Sequence, residues 1–226
     1  MIRTFCLLAL VSLISCEQSK QNSNNSANNN ANSTTNNTSN TSKTDPKEYK
    51  PRNDLALTEE NIKGPFFRKD APFRNKLVKD DTPGKKLYIS GTLTDIKGTP
   101  IADAEIDIWH ADDSGEYDNE TEEFLCRGKI KTDKDGKYFY DTVYPARYLL
   151  SKGYSPEDDK ERPSHIHYMV SANGYKKLTT QLYFKDDPWN GRDPFIRKSL
   201  IIELKETDKD KLKKLEGVFD IVLEKK

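Results

Sequence analysis

The sequence predicts an all-β protein, an antiparallel β-sandwich with long loops and one short C-terminal helix. Beyond Lys50, short runs rich in β-branched and aromatic residues alternate with Gly, Pro and Asp. Such runs, separated at short intervals by turn residues, are typical of sandwiches. Only residues 208–216 have helical spacing, with Leu212 and Leu215 three apart and Lys on the other faces.

The first two strands are predicted at residues 86–93 and 104–109, with turn residues 95–98 between them. The second run alternates apolar and polar side chains, so we predict two paired strands. Trp109 ends this apolar run and is predicted to lie in the core. A hairpin turn is predicted at residues 133–136. Further strands are predicted at residues 127–131, 137–142, 165–172, 179–184, 199–204 and 217–223.

Composition limits both the partners and the extent of the folded domain. The chain has 226 residues with 37 Lys+Arg and 37 Asp+Glu, and this balance argues against a nucleic-acid partner, which would require a basic surface. Half of residues 21–40 are Asn and most of the rest are Ser, Thr or Ala. No core can form from such a tract, so the folded domain is predicted to be residues 51–226.

The N-terminus has the pattern of an export signal. Arg3 precedes an apolar run at residues 5–14 that is too short to span a bilayer. Ser15 and Cys16 then resemble the lipobox of bacterial lipoproteins, in which the Cys is lipidated. The alternative is an ordinary signal peptide in which Cys16 has no role. We therefore predict a lipoprotein signal peptide at residues 1–15 and a lipidated Cys16 that begins a disordered tether at residues 16–50.

These features predict an extracytoplasmic protein that is lipid-anchored to a bacterial membrane, on the periplasmic or cell-surface side. Removal of the signal peptide removes Cys6, and lipidation uses Cys16, so Cys126 is the remaining cysteine of the mature chain. No intrachain disulfide can then form. Cys126 is predicted to be a small buried residue.

Two of the three histidines form the pair His165 and His167. On a strand, residues i and i+2 point to the same face, so the two imidazoles are expected to lie side by side. This arrangement suits a metal ion. It is equally typical of two polar residues on an exposed strand, and the pair alone does not decide between these interpretations.

The segments around this pair resemble the intradiol ring-cleavage dioxygenases, the family of catechol and protocatechuate dioxygenases. The resemblance extends in order from about residue 64 to residue 223. The matching segments are residues 98–112, 115–118, 127–128, 132–138, 162–168 and 174–184.

The resemblance implies a ferric ion, Fe(III), held by Tyr117, Tyr148, His165 and His167. Hard ferric ions favour anionic oxygen donors such as phenolates. Tyr144 remains an alternative to Tyr148, because Leu149 follows Tyr148 where the family usually has Pro.

By the same resemblance, the reaction is cleavage of a catechol ring between its two hydroxylated carbons with O2, giving a muconate-type dicarboxylate. Tyr148 would leave the ion and take up a substrate proton. Arg162 would stabilise charge on the ring, and Gln181 would help position the aromatic diol and O2. The alternative for Arg162 is a surface salt bridge with the acidic residues 157–159.

A second hypothesis is a non-catalytic surface β-sandwich that binds a polysaccharide or an aromatic ligand. Residues 91–109 contain the pattern Gly-x-Pro-x-x-x-Ala, which also occurs in non-enzymatic sandwich domains of cell-surface proteins. A binding module does not need four metal ligands and an arginine at the positions that match the dioxygenase family. Their presence therefore favours the enzyme. The sequence leaves the oligomeric state open.

Overall fold

The computed structural model describes residues 54–151, 160–209 and 212–226. The chain divides into two units, Met1–Tyr49 and Lys50–Lys226, and the described residues belong to the second. The predicted signal peptide, Cys16 and the tether lie outside the described residues, so these remain predictions. Within the described ranges, no helix has the length and apolar character needed to cross a membrane.

The regular secondary structure of the described residues is almost entirely β-strand. The one helical element is a 3-10 turn at Lys198–Leu200. The strands are β1 (Lys86–Asp95), β2 (Glu105–Trp109), β3 (Arg127–Lys131), β4 (Lys137–Val143), β5 (Tyr148–Ser151), β6 (Lys160–Arg162), β7 (His165–Ser171), β8 (Leu178–Phe184), β9 (Ile201–Ile202), β10 (Lys205–Lys209), β11 (Leu212–Val218) and β12 (Ile221–Leu223).

These strands form two five-stranded sheets and a separate β5–β6 hairpin. In the first sheet, β1 pairs with β4 on one side and with β11 and β12 on the other, and β10 lies beyond β11. The second sheet has the order β3-β2-β7-β8-β9. Most pairs are antiparallel, but β1 runs parallel to β11 and β12, and β9 runs parallel to β8.

The core lies between the two sheets. Partly buried and fully buried residues alternate along β1, as expected for a strand with one face in the core. The core face of the first sheet includes Leu87 and Ile89, and that of the second includes Ile106 and Ile166. A hydrogen bond between the hydroxyls of Tyr140 and Tyr168 links β4 to β7 across the layers. The predicted β-sandwich is therefore confirmed.

The predicted pairing of the first two strands is wrong. A tight turn does form, with the Gly98 amide donating to the Asp95 carbonyl over 2.9 Å. The chain then crosses to the other sheet, so that β2 pairs with β3 and β7 rather than with β1. The predicted hairpin turn at residues 133–136 is likewise a turn that joins β3 to β4 between sheets. Alternating polarity identifies the buried face of a strand but not its neighbour.

The predicted C-terminal helix is also wrong. Residues 208–209 end strand β10 and residues 212–216 belong to strand β11, and the two strands pair with each other antiparallel. β11 lies along β1 with Leu215 opposite Leu87, and Leu215 packs against the core. The open edge of β1 supplies hydrogen-bond partners and apolar surface, and this tertiary pairing outweighs the local helical pattern.

The outer face of the second sheet carries the candidate site. Along β7, Ile166 and Tyr168 face the core, so His165 and His167 face outward. This outer face is crossed by a segment that we call the strap, residues 59–67. The Asn61 amide donates to the Thr179 carbonyl over 2.8 Å, which attaches the strap to β8.

Candidate functional site

The two histidines of β7 lie side by side, as the two-residue period of a strand predicts. Both side chains are buried, and the Nε2 atoms of His165 and His167 are 3.2 Å apart. β7 is held between β2 and β8, so the backbone that carries the pair is fixed on both sides. The imidazoles therefore point at one common position.

Hydrogen bonding sets the tautomer of His165. Its Nδ1 lies 2.6 Å from the Pro163 carbonyl, which can only accept, so Nδ1 carries the proton and Nε2 keeps a lone pair. Burial lowers the pKa of His165 to about 3, and Arg162 adds to this effect. Burial also holds the pKa of His167 well below its usual value. Both imidazoles are therefore neutral at neutral pH and able to bind a metal ion.

His167 has an aromatic wall on one side and the strap on the other. Trp109 is its cross-strand neighbour, and the two rings are stacked with centroids 4.9 Å apart. Gly64 of the strap has φ +69°, and a Cβ there would lie 3.2 Å from His167 Cε1. Trp109 is buried as predicted, but in an aromatic cluster on the outer face and not between the sheets.

A short loop after β2 presents Tyr117. The Asp112 carboxylate accepts hydrogen bonds from the amides of Ser114 and Glu116, which shapes this loop. The Tyr117 hydroxyl lies 3.3 Å from His165 Nε2, and its side chain is buried. Burial, with Tyr148 nearby, raises the pKa of Tyr117 well above its usual value.

Tyr148, and not Tyr144, lies with the histidines. Tyr148 begins β5, and its ring centroid is 5.7 Å from that of Tyr117 and 5.9 Å from that of His165. Tyr144 instead packs on Phe184 at 4.8 Å, against the main core. Tyr148 is only half-buried; burial raises its pKa, and Arg162 partly offsets this.

Arg162 lies in a buried hydrogen-bond network beside the pair of histidines. Its Nε donates to Asp193 Oδ2 over 2.7 Å, and its Nη2 donates to both Gln181 Oε1 and the Tyr183 hydroxyl over 2.9 Å. Its Nη1 lies 3.3 Å from His165 Nε2. Burial would lower the pKa of Arg162, but the bond to Asp193 raises it above its usual value. The guanidinium therefore stays charged.

Gln181 lies behind Arg162. Its Oε1 accepts from Arg162 and from Tyr183, and its Nε2 donates to the Ile62 carbonyl over 2.7 Å. Both ends of the amide are thus bonded to the protein. The alternative partners considered for Arg162, residues 157–159, lie outside the described residues; within the described chain its ion-pair partner is Asp193.

A cavity of about 380 Å³ opens beside the two tyrosines. An ion pair between Arg147 and Glu161, 3.2 Å long, lies at its wall. Its size is that of a small-molecule site. The cavity is lined by Pro65, Phe66, Ser114, Gly115, Glu116, Tyr117, Asn119, Arg147, Tyr148, Leu149, Leu150 and Glu161.

Sequence reasoning missed several residues of this site. Tyr183 lies two positions after Gln181 on the same strand face, so the strand period could have identified it. Phe66 stacks on Tyr117 at 4.3 Å, and its position next to Gly64 and Pro65 gave a weaker indication. Asp193 lies in an irregular loop, where no local pattern points to it.

Two residues that could have had chemical roles lie elsewhere. His110 is buried with Nε2 2.8 Å from the Thr142 hydroxyl, and burial lowers its pKa to about 4. Cys126 is a buried free thiol, as predicted, and burial raises its pKa to about 12. A thiol with so high a pKa is unreactive at neutral pH.

Comparison with known proteins gives consistent matches. A family model described as Dioxygenase matches residues 62–225. Chlorocatechol 1,2-dioxygenase of Rhodococcus opacus is 31% identical over 173 residues, which cover 68% of this chain and 67% of that protein. Catechol 1,2-dioxygenase of Acinetobacter baylyi is 34% identical over 197 residues, covering 74% of this chain and 62% of that protein. The chain thus spans roughly three fifths to two thirds of the length of these relatives.

Solved structures agree with the sequence matches. The crystal structure of 3-chlorocatechol 1,2-dioxygenase from Rhodococcus opacus has a TM-score of 0.70 and 31% identity, covering 75% of this chain and 73% of that one. The dioxygenase domain of a dioxygenase carbohydrate-binding protein fusion from a Streptomyces species has a TM-score of 0.64 and 33% identity. That match covers 76% of this chain and 100% of the other. The chain belongs to the intradiol ring-cleavage dioxygenase family.

Proposed function

We propose that this chain is a non-haem Fe(III)-dependent dioxygenase that cleaves a catechol-type ring between its two hydroxylated carbons. O2 would be the second substrate, and a muconate-type dicarboxylate the product. The observation that carries this proposal is the convergence of His167 Nε2 and the Tyr117 hydroxyl on His165 Nε2, at 3.2 and 3.3 Å. Relatives named for catechol, chlorocatechol and hydroxyquinol support an aromatic diol as substrate.

The donor atoms fit a ferric ion. His165 keeps a lone pair at Nε2, and His167 Nε2 lies beside it, so one cation could be bound by both nitrogens. Adjacent ligands bound to one ion at about 2 Å stand about 3 Å apart, close to the 3.2 Å observed between His165 and His167. Tyr117 and Tyr148 would add two phenolates, which suit Fe(III) better than zinc. No cluster of three or more His, Cys, Asp or Glu occurs in the described residues.

When bound, the ferric ion would supply a Lewis acid that holds the catechol and makes its ring reactive toward O2. Tyr148, in its phenolate form, would accept a substrate proton at its side-chain oxygen and become a neutral phenol. Its ring is half-buried and lines the cavity, which a substrate could enter. Arg162 would stabilise negative charge on the ring through Nη1. Phe66 and Trp109 would keep water from the site.

Visible spectroscopy and an iron assay on the purified full chain test this proposal. We expect a tyrosinate-to-iron charge-transfer band that shifts when catechol is added without O2, and ring cleavage when O2 is admitted. The variant His167→Ala should lose both iron and activity. The matched variant His110→Gln removes a buried imidazole outside the site and should keep both. Full ring cleavage without bound iron would refute the assignment, and a chain that binds catechol but never iron would favour a binding module.

We also propose that the protein is exported and anchored to a bacterial membrane through a lipid on Cys16. The support is the N-terminal sequence, in which an apolar run is followed by Ser15 and Cys16. In the producing bacterium, labelled fatty acid should be incorporated into the wild-type chain and not into Cys16→Ser. The variant should leave the membrane fraction. A Cys16→Ser protein that stays in the membrane fraction would contradict the anchor.

A further inference from the structure

The loop that follows β8 folds back over the guanidinium of Arg162. Asp193 of this loop forms an ion pair with Arg162 Nε over 2.7 Å, and both side chains are almost completely buried, with exposures of 1% and 5%. The ring of Phe195 lies against the guanidinium, with its centroid 5.1 Å from the central carbon. The loop therefore contacts Arg162 with one charged and one aromatic side chain.

The carboxylate of Asp193 is itself held in place. Its Oδ1 accepts a hydrogen bond from the Phe195 amide over 2.7 Å, which leaves Oδ2 for Arg162. The Phe195 carbonyl in turn accepts from the side chain of Asn61 in the strap over 2.8 Å. Asp193 thus has one orientation, set by the loop backbone and braced by the strap.

The fork of a guanidinium is planar, so fixing some of its donors fixes the direction of the others. Asp193 holds Nε, and Gln181 and Tyr183 together hold Nη2. The remaining nitrogen, Nη1, is then directed at His165 Nε2, 3.3 Å away. Without Asp193, only one end of the fork would be anchored, and the guanidinium could turn in its plane.

We propose that Asp193 is a positioning residue that aims Arg162 Nη1 into the candidate metal and substrate site. The side chain of Asp193 hydrogen-bonds to Arg162 and to the Phe195 amide, and Asp193 is not among the described residues that line the cavity. The inference rests on the proposed function, because the aim of Nη1 affects the reaction only if charge develops on a substrate there. Asp193 also balances a buried cation, so a role in stability alone is the alternative to be separated.

The test compares Asp193→Asn and Asp193→Glu in the iron-loaded full chain. Asn keeps the size but cannot accept at both positions, whereas Glu keeps the charge. We expect Asp193→Asn to lower kcat by about 100-fold, the effect of misdirecting a stabilising group. Its iron content and its KM for catechol should stay within about threefold of wild type. Asp193→Glu should recover part of the lost kcat. Asp186→Asn, in the exposed part of the same loop, is the matched control and should behave as wild type.

A second readout does not depend on turnover. In the metal-free chain, the NMR signal of the Arg162 Nε–H should be protected from solvent exchange in wild type and in Asp193→Glu. It should lose protection in Asp193→Asn. An unprotected signal in wild type, or an unchanged kcat in Asp193→Asn, would overturn the inference. The inference would also fail if Asp193→Asn lost iron, or lost cooperative unfolding, to the same extent as it lost activity. Asp193 would then stabilise the fold and not the orientation of Arg162.

The failure of the proposed function would look different. If the iron-loaded wild-type chain does not cleave any catechol, the proposed function is refuted. The exchange measurement would still report whether Asp193 orients Arg162. If wild type is active and only the Asp193→Asn comparison fails, the proposed function stands and the positioning role falls.

Discussion

The indole of Trp109 lies parallel to the imidazole of His167, with an interplanar angle of 4° and ring centroids 4.9 Å apart. The indole covers one face of the ring, and Gly64 approaches its edge. Its Nε1 has no hydrogen-bond partner among the described residues. Trp109 therefore contributes to the site by packing alone, and a side chain without the N–H can replace it.

Replacing Trp109 tests this packing role. Trp109→Phe should keep the stacked contact and retain iron. Trp109→Ala should lower the free energy of unfolding by about 3–5 kcal/mol and speed the transfer of iron to a chelator, because His167 is then free to tilt. Loss of the charge-transfer band after chelator addition measures the rate. Phe139→Ala removes an aromatic ring that is 48% exposed on the first sheet and should not change that rate. Equal rates in wild type and Trp109→Ala would contradict this role.

Local sequence patterns predicted which side of a strand each residue faces better than they predicted which strands pair. The alternation in residues 165–168 correctly places His165 and His167 on one side of β7, because the side-chain period of a strand is a local property. Whether β1 pairs with β2 or with β4 depends on contacts between distant residues. The helical spacing of residues 208–216 is also a local pattern, whereas the pairing of residues 214–218 with β1 depends on the rest of the fold.

The candidate site shows the same division. The four proposed ligands lie in local motifs, and the structure brings their side chains near one another. Arg162 was predicted, but its partner Asp193 is 31 residues away in an irregular loop. Gln181 was predicted to help position substrate, but its amide is bonded to Arg162, Tyr183 and the Ile62 carbonyl. Which polar atoms remain free cannot be read from residue types, because it depends on the folded surroundings.

Gly115 allows the loop of Tyr117 to approach Tyr148. Its φ is +92°, and a Cβ there would lie 2.5 Å from the Arg147 carbonyl oxygen. Gly115→Ala should therefore lower the free energy of unfolding by about 3 kcal/mol or more, through backbone strain and a backbone clash. The charge-transfer band of the iron-loaded chain should weaken as Tyr117 moves.

Gly174→Ala is the matched control for this prediction. Gly174 has φ +80° but nothing within 4 Å of its would-be Cβ, so the substitution isolates the backbone strain. We expect it to cost about 1–2 kcal/mol and to leave the band unchanged. Urea unfolding of both variants gives the comparison. If both variants lose the same free energy of unfolding, the close contact with the Arg147 carbonyl is not the reason that a glycine is needed at position 115.

The buried carboxyl of Asp107 should make the free energy of unfolding depend on pH. Burial raises the pKa of its carboxyl from 3.8 to about 6, although Lys129 partly offsets this. Between about pH 4 and pH 6 the folded chain then binds more protons at this site than the unfolded chain. The contribution of Asp107 to stability therefore falls as pH rises through this window and levels off above it.

Asp107→Asn removes this titration. We expect the variant to be more stable than wild type by on the order of 2 kcal/mol at pH 7, with the difference disappearing toward pH 4. Urea unfolding of the metal-free chain at several pH values measures it. A constant difference across pH for Asp107→Asn would mean that the carboxyl does not titrate in this range.

The cavity carries more negative than positive charge. Its described lining has two carboxylates, Glu116 and Glu161, against one guanidinium, Arg147, and that guanidinium is already paired with Glu161. A catechol that bears a carboxylate would meet Glu116, and the described part of the lining offers it no unpaired cation. We therefore expect a higher KM for 3,4-dihydroxybenzoate than for catechol, and a difference that shrinks as salt screens the charges.

Glu116→Gln tests the source of this selectivity. Removing the carboxylate should lower the KM for 3,4-dihydroxybenzoate by a few fold, as for one exposed charge, and leave the KM for catechol unchanged. Glu122→Gln removes an exposed carboxylate that is not part of the cavity lining and should alter neither value. If both variants change the two KM values alike, the effect comes from net charge. If the carboxylated substrate has the lower KM in wild type, the lining residues do not set selectivity by charge. If only Glu116→Gln lowers the KM for 3,4-dihydroxybenzoate, the Glu116 carboxylate is the source of the selectivity. A local contact distinguishes the two substrates, whereas the net charge of the protein does not.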